Sequence, residues 1–205
     1  MELEMKAWMD RLFGETANTG AARLVELDEF CGPDLITLQR LATLFENCAA
    51  WLAPYSDERL NRAFWDLSGN VLFVLGDDSI EWALRQRVIS SFEILFREFF
   101  AVRCRPVLGH LSEAGSPLNL ACYMWWDFDC WYATPGSALL AVMRSSLAIG
   151  HVACQESALH GLGHWYHRGQ AEAVRSIIDE FLEREPHIRA ELREYASSAR
   201  SGCVL

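Results

Sequence analysis

Apolar residues recur every three or four positions along almost the whole chain, which is the spacing of one face of an α-helix. The heaviest of these stripes consists of Val88, Phe92, Leu95, Phe96 and Phe99. The other common pattern, strict alternation of apolar and polar residues between hairpin turns, would indicate β-strands and does not occur in this sequence. The sequence therefore predicts an all-α protein.

Proline and glycine divide this helical pattern into about ten short helices with short connections, which places neighbouring helices in antiparallel pairs. The predicted helices cover residues 3–13, 21–31, 33–51, 56–75, 79–104, 118–132, 137–149, 151–167, 170–184 and 186–198. Residues 105–117 are rich in proline and glycine and are the single candidate for a domain boundary. Because no long linker occurs, we expect one domain over residues 1–205.

The charge of the chain excludes several classes of partner. The formal net charge is −10, and Lys6 is the only lysine. Binding to nucleic acid or to an anionic membrane surface needs clustered basic side chains, so both are disfavoured. No run of about 18 apolar residues occurs, which predicts no membrane span. A basic protein is the partner that this charge would attract.

Cysteine usage indicates a reducing environment. The chain has seven cysteines, an odd number, and no Cys-x-x-Cys pair, so neither a disulfide framework nor a zinc-ribbon pattern is present. Free buried thiols are the expected state. The first residues, MELEMKAWMDRLFG, are acidic where a signal peptide would be basic. Together these features predict a cytoplasmic protein.

A weak internal repeat links three of the predicted helices, which contain LNRAFWDLSGN (60–70), NLACYMWWDFD (119–129) and QESALHGLGHW (155–165). The run from Glu156 to Gly163 resembles the inner helix of HEAT-like repeats, with their Ala-Leu-x-x-Leu-Gly core. The resemblance covers mainly residues 137–184. It implies an α-solenoid in which small residues let helices approach closely, and a role as a binding scaffold. An irregular helical bundle is the alternative architecture.

Histidines form the most suggestive pattern for chemistry. On a regular helix Glu156, His160, His164 and His167 lie within a stripe of about 80°. The residues opposite this stripe are apolar, so we expect the stripe to face away from the core and to be exposed. Histidines four residues apart on a helix have the spacing of metal ligands. Three interpretations stay open: ordinary polar contacts, a partner-binding face, or a zinc site.

The segment from Tyr123 to Trp126 is apolar on too many sides for a surface helix. It is either part of the central core, or part of the core with an exposed interface patch. Asp127 follows directly, in an Asp-x-Asp sequence that resembles the metal-nucleotide motif of some glycosyltransferases. Because that motif needs the end of a strand, and this one lies on a predicted helix, we expect no such function.

The function favoured by these features is a non-catalytic protein-binding module, such as an adaptor, scaffold or immunity-type protein, that needs no cofactor. Its acidic and aromatic contact surface would consist of Trp126, Asp127, Glu156, His160, His164 and His167. The alternative is a metal-dependent, hydrolase-like enzyme. Its zinc ligands would be His160 and His164, completed by His167 or Glu156. No phosphate-binding loop and no nucleophile elbow occurs, which favours the first hypothesis.

Overall fold

The computed structural model of the protein describes residues 2–13, 34–127 and 134–204. The predicted helix at 21–31 and the last part of the predicted helix at 118–132 lie outside these ranges. All regular secondary structure within them is helical, which confirms the all-α prediction. The α-helices are α1 (Glu2–Phe13), α2 (Asp34–Glu46), α3 (Cys48–Leu52), α4 (Asp57–Asp66), α5 (Trp82–Ile94), α6 (Pro117–Tyr123), α7 (Gly136–Leu147), α8 (Val152–Trp165), α9 (Ala171–Arg184) and α10 (Ala190–Ala199).

Several of these helices change their winding at the C-terminal end. Wider π-helical turns continue α4, α5 and α8, at Leu67–Val71, Leu95–Phe100 and Tyr166–Gln170 respectively. Tighter 3₁₀ turns occupy Leu72–Gly76, Gly109–Leu111 and Met124–Trp126, and one α-helical turn occupies Ala101–Arg103. A π turn shifts every later side chain away from the face that regular helical spacing predicts.

Helix α8 lies at the centre of the C-terminal half and contacts α6, α7, α9 and α10. Its residues from Ala153 to Gly163 are all buried. In the N-terminal half α2 packs against α5, and α4 packs against α6. One hydrophobic cluster extends from Met5 to Ala199 and includes buried residues on both sides of 105–117. The HEAT-like stacking of helix pairs stays a prediction.

Aromatic side chains fill the interface between the two halves. Trp125 is fully buried and meets Phe45, Phe64 and Phe92 edge to face, with ring centroids 6.2, 5.8 and 5.4 Å away. Trp126 stacks on Phe96 at 5.8 Å. Such aromatic pairs add stability beyond that of area burial alone. Of the two interpretations of this segment, the central core is therefore correct for Trp125 and Trp126, and an exposed patch at these two residues is wrong.

None of the helices in the described ranges combines the length and the apolar character that a bilayer crossing requires. Helices α8 and α9, for example, have 14 residues each. At 1.5 Å per residue they extend about 21 Å, short of a hydrocarbon core of about 30 Å.

Candidate functional site

The polar side chains of α8 lie in the interior of the protein. Glu156 is 1% exposed and His160 is 0% exposed, so the expectation that this stripe faces solvent is wrong. The polar face of α8, which the sequence predicts to be exposed, is covered by α6, by α10 and by the 3₁₀ turn at Gly109–Leu111. Buried polar groups need hydrogen-bond partners, and the partners divide this stripe into two sites.

The first site holds the carboxylate of Glu156. It accepts hydrogen bonds from the backbone N–H groups of Gly109 and His110, at 2.8 and 2.9 Å. The His110 ring adds a third contact, from Nδ1 to Oε1 at 2.5 Å. These N–H groups begin a 3₁₀ turn, where free donors favour an anion. Both carboxylate oxygens are engaged, so the site is saturated by the protein itself.

The second site is formed by Asp127, His160 and His164. Oδ1 of Asp127 lies 2.6 Å from Nε2 of His160 and 3.0 Å from Nε2 of His164. The two Nε2 atoms are 3.2 Å apart. Among the described residues this is the one group of three or more potential metal ligands whose ligand atoms all lie within 4.8 Å of one another. Three lone-pair donors thus converge on one point.

The structure brings together two of the three histidines that the sequence suggests as ligands, and leaves out the third. His167 is exposed, and its Nε2 lies 3.1 Å from the carbonyl oxygen of Gly202. The π turn at Tyr166–Gln170 has non-helical torsions at Arg168 and Gly169. It interrupts the regular helical spacing that places His167 in line with His160 and His164. The prediction that His167 is a ligand is therefore wrong. The alternative prediction, that Glu156 is the third ligand, is also wrong, because its carboxylate is engaged by Gly109 and His110. Asp127 occupies the third position.

A second layer of hydrogen bonds holds His160. Its Nδ1 lies 2.7 Å from the hydroxyl of Tyr195, which in turn lies 3.1 Å from the hydroxyl of Tyr123. The Tyr195 ring also stacks on His110 at 4.1 Å, which connects the two sites. Burial, followed by the contact with Tyr123, raises the pKa of Tyr195 well above its usual range. Tyr195 therefore stays a neutral hydroxyl that can both accept and donate a hydrogen bond.

The electrostatics of the second site keep Asp127 ionised. Its burial acts to raise its pKa, but the hydrogen bonds from His160 and His164 together outweigh burial and lower the pKa to about 2. A carboxylate is thus present at any pH near neutrality, which is the form that a metal ion needs.

The donor set and its spacing fit a transition-metal ion. Two imidazole nitrogens and one carboxylate oxygen are ligands typical of catalytic zinc and of non-haem iron. In a tetrahedral site with bonds near 2.0–2.1 Å the ligand atoms would be about 3.3 Å apart. The observed separations are 2.6, 3.0 and 3.2 Å. To admit an ion, the contact between Asp127 and His160 would have to lengthen by about 0.7 Å, and the other two by about 0.1–0.3 Å.

The site is closed on its inner side and partly open on its outer side. The side chain of His160 is 0% exposed, whereas those of Asp127 and His164 are 20% and 35% exposed. The side of His164 is therefore the more exposed side of the site, although Oδ1 of Asp127 is itself enclosed.

Two glycines of α8 allow the close packing that sets the position of Asp127. A Cβ at Gly161 would lie 2.6 Å from Cγ of Trp126, the residue before Asp127. A Cβ at Gly163 would lie 2.5 Å from the Val204 side chain. The two glycines thus allow close approach between α8 and the Met124–Trp126 turn and between α8 and the C-terminal segment.

The six residues predicted as a contact surface do not form one. Trp126, Glu156 and His160 are buried, Asp127 and His164 are partly exposed, and only His167 is exposed. An aromatic anchor must reach the partner, which Trp126 does not in the folded protein. The assignment of these residues as a common partner-binding face is therefore wrong, because the face is enclosed by α6 and α10.

Two residues of these sites, His110 and Tyr195, are not indicated by the sequence, because neither belongs to a motif. His110 lies in the loop taken as a domain boundary, and Tyr195 lies on the last helix, 35 positions from His160. Only the packing of α10 against α8 reveals their role.

No family model, no curated protein and no solved structure matches the chain. A function for the chain is therefore inferred from the geometry of the site.

Proposed function

We propose that the protein binds one divalent transition-metal ion through Asp127, His160 and His164 and is a metal-dependent enzyme of the hydrolase type. The observation that carries this proposal is the convergence of three ligand atoms within 4.8 Å, on residues from two separate elements. Zinc is the ion that this donor set and this buried setting favour first. Iron(II) is the second candidate, since two histidines and one carboxylate also form its common site.

The proposed ligand set leaves one coordination position of the metal ion free. A zinc ion held by three protein side chains keeps a further position for water, whose pKa it lowers towards neutrality. Structural zinc sites, by contrast, use four protein ligands. Since the described residues supply three ligands and the side of His164 is partly exposed, the arrangement fits a catalytic site better than a structural one.

His160 has the environment of a metal ligand rather than of a general base. A ligating Nε2 must carry a free lone pair, so the ring proton must lie on Nδ1. The Tyr195 hydroxyl, 2.7 Å from Nδ1, can accept a hydrogen bond from that N–H and donate its own hydrogen bond to the Tyr123 hydroxyl. Metal-bound histidines commonly have such an outer partner, which fixes the ring and its tautomer.

In the proposal, His164 is both a metal ligand and the residue next to the substrate. It is the most exposed of the three ligands, and its ring lies edge-on to that of His160 at 4.7 Å. It therefore borders the side from which a substrate would approach. The net charge of −10 disfavours strongly anionic substrates, so we expect neutral or cationic esters and amides to react before phosphate esters.

The test is metal-dependent hydrolysis by the purified protein. The metal-free protein, prepared by dialysis against a chelator, should be inactive on a panel of aryl esters, aminoacyl amides and phosphate esters. Adding zinc should restore turnover of at least one substrate class. The His164→Ala variant should not regain activity, whereas the His167→Ala variant should. Equal activity of the zinc-loaded protein and of His164→Ala would contradict the proposal.

A further inference from the structure

An open groove lies on the N-terminal half of the protein, between the first turn of α2, the turn at 77–81 and the first turn of α5. Its volume is about 940 Å³. The lining includes three carboxylates and three apolar side chains, namely Asp34, Asp77 and Glu81, and Leu35, Ile80 and Leu84. The proposed metal-dependent reaction uses none of these residues.

The apolar part of the groove is open to water. Leu35 is 51% exposed, and the neighbouring Ile36 is 40% exposed. Phe73, on the 3₁₀ turn that contacts α2, is 49% exposed. A single exposed apolar residue is ordinary on a protein surface, whereas several of them on adjoining elements beside a groove are typical of an interaction site.

The carboxylates of the groove have no basic partner. Among the described residues, no lysine or arginine forms an ion pair with Asp34, Asp77 or Glu81. Burial, followed by the nearby charge of Asp77, raises the pKa of Asp34. Arg85, further along α5, has a side chain only 8% exposed, and its Nη1 already lies 2.9 Å from Oδ1 of Asp78. A cationic group that enters the groove would therefore meet negative charge that the protein itself does not neutralise.

The charge of the groove decides between its possible occupants. A second copy of the chain would bring another net charge of −10 to an acidic surface. Residues 14–33, which precede Asp34, carry four acidic residues and one arginine, so they do not complement the groove either. Nucleic acid and anionic membranes would be repelled. The complementary occupant is cationic and has apolar side chains.

We propose that this groove binds a basic, amphipathic helical segment of another protein. Apolar side chains one turn apart on that segment contact the three apolar side chains of the groove, and its lysine and arginine side chains pair with the three carboxylates. The described residues contain no strand to which an extended peptide could add, so a helix in a groove is the mode of binding that this surface offers. The volume lies within the range of about 300–1,000 Å³ that is typical of ligand pockets, which suits a few anchoring side chains.

The test measures peptide binding by the full-length protein in a buffer with a chelator, which separates binding from any metal-dependent reaction. The probe is a fluorescein-labelled helical peptide of leucine and lysine, with its leucines on one face. One control peptide has glutamate in place of lysine, and the other has alanine in place of leucine. By fluorescence anisotropy we expect saturable binding of one leucine–lysine peptide per chain and no binding of either control.

Variants of exposed or partly exposed groove residues locate the bound peptide. Asp34→Asn/Glu81→Gln removes two charges from the groove and should weaken binding about three- to tenfold. Leu35→Asn should weaken it about fivefold. The matched control is Glu172→Gln/Glu183→Gln, which removes two charges from exposed positions of α9 and should change the affinity by less than about twofold. Circular dichroism shows that each variant is folded.

Three results would overturn the proposal. The first is the absence of saturable binding, and the second is an equal loss in the groove and α9 double variants, which would indicate attraction by net charge alone. The third is an affinity that Leu35→Asn leaves unchanged. Analytical ultracentrifugation of the free protein tests the remaining occupant: a dimer that Leu35→Asn abolishes would assign the groove to a second copy and contradict the proposal, whereas a monomer supports it.

Discussion

Two carboxylates against α8, the buried Glu156 and the partly exposed Asp127, have opposite relations to their surroundings. Glu156 accepts hydrogen bonds from two backbone N–H groups and from His110, and both of its oxygens are engaged. Asp127 is surrounded by two imidazoles whose Nε2 atoms converge on the same oxygen and on each other. The first arrangement is complete without any ligand. The second brings three potential metal ligands together, and in the proposed function a cation completes it.

The comparison teaches that burial of a charged group is not by itself a sign of a functional site. Glu156 is more deeply buried than Asp127, yet its role is to tie α8 to the loop at Gly109. The Asp127 site differs in that its three groups are all potential metal ligands whose ligand atoms lie within 4.8 Å of one another. Each of the following predictions tests whether the two carboxylates differ in this way.

The largest effect on stability is expected at Glu156. Glu156→Ala removes a fully buried carboxylate and leaves its donors without their acceptor, so the free energy of unfolding should fall by about 3–5 kcal/mol. Urea denaturation measures this change. The variant that remains folded should still bind one metal ion. Parallel loss of stability and of metal would show that the two sites are one functional unit.

The second effect, on metal affinity, is expected at His164. His164→Ala should weaken zinc binding by more than the roughly 10–100-fold that loss of an outer partner causes. Because His164 is 35% exposed, the free energy of unfolding of the metal-free protein should change by less than about 1 kcal/mol. Competition with a chromophoric chelator measures the affinity. His167→Ala, three residues further along, is the control and should bind zinc like the wild type.

Tyr195→Phe should have an intermediate effect on the metal site. The variant keeps the ring that stacks on His110 and removes the hydroxyl that holds Nδ1 of His160. We expect a loss of zinc affinity of about 10–100-fold. The same competition experiment is suitable. An unchanged affinity would mean that the tautomer of His160 does not depend on Tyr195.

The pH dependence of zinc affinity distinguishes imidazole ligands from others. Imidazole must be neutral to bind a metal ion, so zinc affinity should fall as the pH is lowered from 7.5 to 6, by up to about tenfold per pH unit for each proton displaced. Zinc titrations at several pH values give the slope. Stability of the metal-free protein should change much less over this range. A zinc affinity that is flat with pH would exclude imidazole ligands.

Much of the fold could be predicted from the sequence, because helical spacing and proline or glycine breaks are local signals. The helices at 137–149, 151–167 and 170–184 correspond closely to α7, α8 and α9. The sequence also indicates His160 and His164 as a pair, because two residues four positions apart lie on the same face of a helix.

The rest of the site depends on contacts between distant residues. Asp127 lies beside His160 and His164 because the Met124–Trp126 turn packs against Gly161 of α8. The polar stripe of α8 reads as solvent-exposed because local spacing does not reveal that Gly109 and Tyr195 cover it. Regular helical winding would place His167 in the same stripe as His160 and His164, but this segment forms a π turn.

The measurement that tests the central claim most directly is the metal content of the wild-type protein and of His160→Ala. Both would be purified without a tag, incubated with excess zinc, passed through gel filtration in metal-free buffer, and analysed by mass spectrometry of the elements. The account predicts about one zinc ion per wild-type chain and none in folded His160→Ala. No zinc on the folded wild type, or equal amounts on both proteins, would contradict it.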